Sequence, residues 1–251
     1  MEYTTTETQL SEMSDKMAQN LLQLRSSLCI LHIISTASTE INKKNYGSFF
    51  GVVQDRMTES VILSVSKLYE DNKSSATIKS AINFIDSNIK TLELKSIPND
   101  VHNQFFNRDY SEYLTTKFLE TETGWKTEMH VDKKLKVDIK NDIILEYETM
   151  FSSLNKDIKA IKDLRDQTVA HTDKKARIID KTTWEQVEVL LVFGIEFLDL
   201  IETTYLAISR SIQSDGIRAC SSFIRMLNDL GIVISEKEKK EIFNDKNLQT
   251  E

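Results

Sequence analysis

Apolar residues return at steps of three and four along most of this chain. Met13, Met17, Leu21, Leu24, Leu28 and Leu31 share one face of a helix predicted to run from about Ser11 into the low forties. The polar stretch "NKKNYGS" separates it from a second helix bearing Val53, Met57, Val61, Val65 and Leu68. The turn-forming cluster "YEDNKSS" follows. Ser74 or Ser75 is then placed to cap a third helix, whose stripe is Ile78, Ala81, Ile82, Ile85 and Ile89. Pro98 and the aspartate of "IPND" mark another boundary, ahead of Val101, Phe105 and Phe106.

Between there and about Lys134 aromatics are plentiful (Tyr110, Tyr113, Phe118, Trp125), but no period persists. Helical spacing resumes near Val137 with Tyr147, Phe151, Leu154, Ile158 and Ile161. The last long helix is predicted to start around Lys181–Thr183, capped by Thr182 or Thr183. Its stripe is Val187, Leu191, Gly194, Leu198, Ile201, Tyr205, Ile208 and Ile212. Val189, Phe193 and Leu200 lie on its other side, so this helix belongs at the centre of a bundle or at a dimer seam. A shorter helix over about Ile217–Leu230 and a polar tail, "SEKEKKEIFNDKNLQTE", complete the chain, and the tail is expected to fray.

Composition sharpens this pattern into a fold class. One proline and six glycines in 251 residues leave few helix breakers, and 28% of residues are charged. The expectation is an all-α antiparallel helical bundle. No internal repeat or low-complexity linker divides it, so residues 1–251 read as one domain.

The formal net charge of −7 provides no global attraction for nucleic acid or an anionic membrane, so a polyanion would need a local basic patch. Cys29 and Cys220 stand 191 positions apart among apolar neighbours, without metal-type spacing, and are expected to be buried free thiols in a reducing compartment. The N-terminus lacks the basic and apolar regions of a signal peptide. The apolar runs Leu28–Ile34 and Val189–Ile195 are too short to span a bilayer. A soluble cytoplasmic protein with no membrane contact is the resulting expectation. His32, His102 and His130 show no ligand spacing, and no glycine-rich phosphate loop is present; neither metal nor cofactor is expected. Trp125 and Trp184 could stack bases, although core packing suits Trp184 better.

The segment "LRDQTVAHTDKK" (164–175) breaks the pattern. Continuing the stripe from Ile161 reaches position 165, which should be apolar and is arginine. A charge there needs a partner or a task. In the first case Arg165 pairs with Asp163, Asp166 or a carboxylate of another helix, and His171 caps the helix C-terminus against its dipole. In the second, the pair cleaves RNA. Histidine can exchange the proton of a ribose 2′-hydroxyl or of the leaving oxygen, while an arginine fork binds the phosphate and its developing charge. DNA lacks the 2′-hydroxyl and is not cut this way.

Geometry constrains that second case. On one continuous helix, residues six apart stand roughly 120° apart around the axis and about 9 Å along it. Convergence therefore requires either a helix end between Arg165 and His171, which Thr168, Val169 and "HTDKK" would suit, or a second subunit.

"RDQTVAHTD" resembles the signature of the HEPN superfamily, in which an arginine and a polar residue precede a histidine on a helical domain. Its "AHTD" resembles the abortive-infection (AbiU-like) branch. "SKLYEDNKSSATIKSAINFI" (66–85) is similar to that branch's earlier helix pair. The resemblance spans about 50–212, with 1–45 as an extra N-terminal helix, short C-terminal helices, and 235–251 as the polar tail.

The resemblance implies a homodimeric, metal-independent ribonuclease of a toxin–antitoxin or phage-defence system, with two arginine–histidine pairs meeting at the dimer cleft. Arg165 would clamp phosphate, and His171 would be the general acid or base. Asp166 stands where the superfamily most often has asparagine; it and Asp173 would support the pair. Lys174, Lys175 and Arg177 would contact substrate. Lys162–Arg177 holds five basic residues against three acids, a local net charge of +2. Doubled across a cleft, that would suit a structured or specific RNA, tRNA among the candidates, with an antitoxin protein as a further partner. The competing expectation is a non-catalytic helical module of the same fold that binds protein or RNA.

Overall fold

The computed structural model describes residues 4–71, 76–96, 114–121, 124–131, 133–170 and 181–239. Helix α1 (Thr5–Thr36) starts from a reciprocal cap: Thr4 accepts from the Glu7 amide, and the Glu7 carboxylate accepts from the Thr4 amide. Its apolar positions then serve two cores in succession. Leu10, Met17, Leu21 and Leu24 enter the main one, while Cys29, Ile33 and Ile34 enter a smaller one. The predicted first helix is interrupted at Ala37, after which the short α2 (Ser38–Lys43) completes the run into the low forties.

Asn45, with φ of 60°, turns the chain into α3 (Gly47–Leu68), which packs along α1. Ser27 and Gln23 of α1 both donate to the Ser60 hydroxyl, at 3.0 and 3.1 Å. Helix α4 (Ile78–Asn88) is capped by Thr77, whose hydroxyl accepts from the Ser80 amide, and not by Ser74 or Ser75. Thr77 wins because it immediately precedes the buried stripe of Ile78, Ala81, Ile82 and Ile85. Pro98 and its neighbours lie outside the described residues.

The stretch without helical period contains an antiparallel hairpin, β1 (Leu114–Thr121) paired with β2 (Gly124–Val131), inserted into an otherwise all-α fold. Helix α5 (Lys133–Ala170) then contacts α3, α4 and α6, burying Ile139, Ile143, Tyr147, Leu154, Ile158 and Ile161.

Helix α6 (Lys181–Ile201) begins before both of its expected caps, so Thr182 and Thr183 lie within it. Val187, Leu191, Leu198 and Ile201 are buried on the predicted stripe, as are Phe193 and Leu200 from the other side, whereas Val189 is exposed. Of the two expectations for this helix, this is the geometry of a central one. It stops short of Ile212. A π turn occupies Glu202–Leu206, Ala207 is left-handed, and α7 (Ile212–Asp229) starts afresh. Chain from elsewhere takes the freed carbonyls: the Lys95 amide donates to the Thr204 carbonyl at 2.8 Å, and the Ser96 hydroxyl to that of Thr203 at 2.9 Å. The charges also favour the break, because Arg210 beyond it folds back onto buried Glu202 at 2.7 Å.

Cys29 and Cys220 are not free thiols. They form a disulfide between α1 and α7, with Cα atoms 5.8 Å apart, inside the smaller core. Their long separation in sequence concealed a helix contact that the fold makes extensive. Among the described residues no helix is long and apolar enough to cross a membrane. One turn of helix covers 236–239, and the rest of the tail lies outside the described residues.

Candidate active site

Arg165 lies five residues before the last described position of α5. Ile158 and Ile161 on the preceding turns are buried, but at 165 the stripe reaches the rim of the core, and the arginine side chain is 25% exposed. This resolves why an arginine could follow an apolar stripe: its stem covers core while its head reaches solvent. The guanidinium is held by two carboxylates. Asp166 takes Nε at 2.9 Å and Nη2 at 2.7 Å, and Glu70, just beyond α3, takes Nη1.

Glu70 was not singled out in the sequence, although it belongs to the "YEDNKSS" turn. Its signal was an acidic pair closing an apolar helix, with Lys67 and Lys73 three residues to either side of Glu70. The fold brings bases from farther along the chain: Arg165 reaches Glu70, and Lys79 of α4 reaches Asp71 at 2.9 Å. Two phenols pack behind this rim. Burial pushes Tyr147 well up, with the Asp71 carboxylate adding to the effect, and burial likewise raises Tyr69, whose hydroxyl donates to the Leu190 carbonyl at 2.6 Å. Both therefore remain protonated at neutral pH and serve as donors and packing, not as bases.

The α-helix continues through Thr168 and Val169 to Ala170, so no helix end falls at the β-branched pair. Their modest propensity penalty, with neither glycine nor proline nearby, is too small to stop a long helix. His171, Asp173, Lys174, Lys175 and Arg177 lie outside the described residues; Arg165 and Asp166 are the two site positions whose contacts are seen. Of the other residues weighed, His32 is exposed, and Trp184 is half-buried against the main core. His102 lies outside the described residues. Among the described residues no group of three or more histidine, cysteine or carboxylate side chains could hold a metal ion.

By inventory the guanidinium has five N–H groups, and among the described residues the two carboxylates engage three, leaving one on each terminal nitrogen. Arg165 can thus donate to a further anionic oxygen without first releasing Asp166. That anion would meet a charge already partly balanced by Glu70.

The matching family settles what kind of domain carries this arginine: residues 7–219 fit the family model of HEPN AbiU2. The chain belongs to the HEPN AbiU2 family. No curated protein and no solved structure matches it. The family match begins at residue 7 and so takes in α1, which supplies apolar residues to both cores of this HEPN domain.

Proposed function

We propose that this HEPN AbiU2 protein is a metal-independent endoribonuclease of an abortive-infection or toxin–antitoxin system, working in the cytoplasm as a homodimer. The supporting observation is the position of Arg165, at the core rim near the C-terminal end of α5, with two of its N–H groups unused among the described residues and His171 six positions on in sequence. His171 removes the 2′-hydroxyl proton of the substrate ribose. The oxygen attacks the adjacent phosphorus, the 5′-oxygen departs with a proton donated by the protonated histidine of the second pair, and a cyclic phosphate remains. Arg165 binds a non-bridging oxygen and stabilises the charge gathered on the phosphorane. On one helix the two side chains would diverge, so the cleft is completed by the second subunit, which brings the other pair. Lys174, Lys175 and Arg177 hold the flanking phosphates of a structured RNA, tRNA being the first to try. Asp166 and Asp173 orient the pair, and an antitoxin protein restrains it.

Purified protein should cut RNA in the presence of a chelator, and Arg165→Ala and His171→Ala should each abolish cleavage while the circular dichroism spectrum is retained. Cleavage persisting in both variants would remove the enzyme reading. One observation favours the alternative, a non-catalytic module: the Arg165–Glu70 pair is what a structural role requires. Under that reading Arg165→Ala lowers thermal stability and leaves partner binding intact.

A further inference from the structure

The Cys29–Cys220 bridge is buried, but unevenly. Cys220 of α7 is fully enclosed, whereas Cys29 of α1 keeps 5% of its surface and lines a cavity of about 380 Å³, within the size range of small-molecule sites. Among the described residues the lining of that cavity comes from α1, α3 and α6, and none of it from α7. We propose that Cys29 is a modification site: a low-molecular-weight thiol enters the cavity and exchanges onto the Cys29 sulfur, releasing Cys220 as a free thiol. The proposal does not depend on the ribonuclease reading, because Arg165 and Glu70 take no part in the cavity lining.

Cys29 belongs to the smaller core, and among the described residues it is the one member of that core that also lines the cavity. The bridge therefore stands at the wall between the two, with Cys29 on the cavity side and Cys220 behind it. The same lining includes His32 and Ser35, both exposed, so the cavity meets solvent at one end. Those two residues follow Cys29 by three and six positions, which puts the mouth about 5 to 9 Å along the α1 axis from it.

The remaining walls are largely apolar, with Leu28, Leu191, Val192 and the half-buried Trp184. A passage of this size admits a small thiol and shuts out a redox protein, whose own cysteine is carried on a bulky surface. With no exposed surface on Cys220, attack at Cys29 is the route that needs no prior unfolding.

The exchange balances with two thiols. The first loses its proton, its sulfur bonds to Sγ of Cys29, and the electron pair of the Cys29–Cys220 bond leaves on the Cys220 sulfur, which takes up a proton. A second thiolate attacks the outer sulfur of the adduct, forming a small disulfide and returning Cys29 as a thiol. The covalent tie between α1 and α7 is then cut.

The test incubates the oxidised full chain under native conditions with mercaptoethanol or with reduced thioredoxin, quenches in acid with a maleimide, and maps the products by peptide mass spectrometry. The opening rate should rise in proportion to mercaptoethanol concentration, with the mercaptoethanol adduct on the Cys29 peptide and the maleimide on the Cys220 peptide. Thioredoxin should open the bridge no faster than the chain unfolds. Val192→Trp, which fills the cavity, should slow opening by mercaptoethanol at least about tenfold. Single-cysteine variants check the same asymmetry without the bridge: Cys29 in Cys220→Ser should react with dithiodipyridine at least about tenfold faster than Cys220 in Cys29→Ser. An adduct on Cys220, an opening rate independent of thiol concentration, or opening by thioredoxin faster than unfolding would each overturn the proposal in the wild-type chain, even if the variants fail to fold. An undiminished rate in folded Val192→Trp, or equal reactivity of the two single cysteines, would do the same.

Discussion

Arg165 on α5 and Glu70 beyond α3 form an ion pair across 95 positions of sequence, each side chain about a quarter exposed. Water still screens such a pair, so its coupling is worth about 1 kcal/mol. In urea titrations Arg165→Ala and Glu70→Ala should each cost about 1 kcal/mol, and the double variant little more than either alone. If the ribonuclease proposal holds, Glu70→Ala also frees the guanidinium from a competing anion. KM for RNA should then fall with kcat unchanged, whereas a tenfold loss in kcat would make Glu70 a positioning residue.

The disulfide joins residues 191 positions apart, so it restricts the unfolded chain far more than the folded one. Replacing Cys220 by serine should cost about 2–5 kcal/mol and lower Tm by on the order of 10 °C. Wild-type protein melted with a reductant should behave like the variant. Thiol titration of the denatured, unreduced protein should find no free thiol, against two after reduction. In a reducing cytoplasm the same bridge would be opened wherever the glutathione pool can reach it. Trapping thiols during lysis should reveal the form present in cells.

Glu7 predicts a pH dependence whose sign can be fixed. The Lys95 hydrogen bond holds its carboxyl below the usual 4.5, working against burial and aided by Thr4, and the ammonium stands 2.6 Å away. A folded-state value below the unfolded one stabilises the protein above pH 4.5, and that contribution disappears as pH falls through the folded value. Glu7→Gln should therefore lower stability by about 1–3 kcal/mol at pH 7, and the two proteins should converge in urea titrations as the medium is acidified below the carboxylate range.

At the crossing of α1 and α6, Gly194 leaves no room for a side chain: a Cβ there would sit 2.8 Å from Cδ2 of Leu21. Gly194→Ala gains helix propensity of about 1 kcal/mol, yet overpacking a fully buried leucine costs about 1–3 kcal/mol. A net loss of stability is expected. Adding Leu21→Val to make space should recover part of it in thermal melts.

Long amphipathic helices were legible because each buries one face, and a face repeats. Val61, Val65 and Leu68 were placed by that rule alone, and so were Ile158 and Ile161. Breaks caused by tertiary contact were not legible. Tyr205 fits the α6 stripe and is buried, but the backbone carrying it is a π turn held by Lys95 and Ser96 from a distant loop. The hairpin of β1 and β2 is not legible at a period of 3.6 because strands have a period of two, though threonines and aromatics crowd it. At the site, Arg165 stood out as a charge on an apolar stripe. Its partner Glu70 could not, since only the packing of α5 on α3 makes them neighbours.

The Cys29–Cys220 bond also changes what can happen to the chain under tension. It closes the chain between Cys29 and Cys220 into a ring, and Arg165 sits inside the ring. Pulled from both sides, the oxidised protein withholds the ring's contour, about 670 Å for its 191 steps at roughly 3.5 Å per residue, which the reduced chain would pay out. A protease or unfoldase that grips either terminus would meet a covalent stop before reaching the arginine, and the thiol state would decide whether it passes.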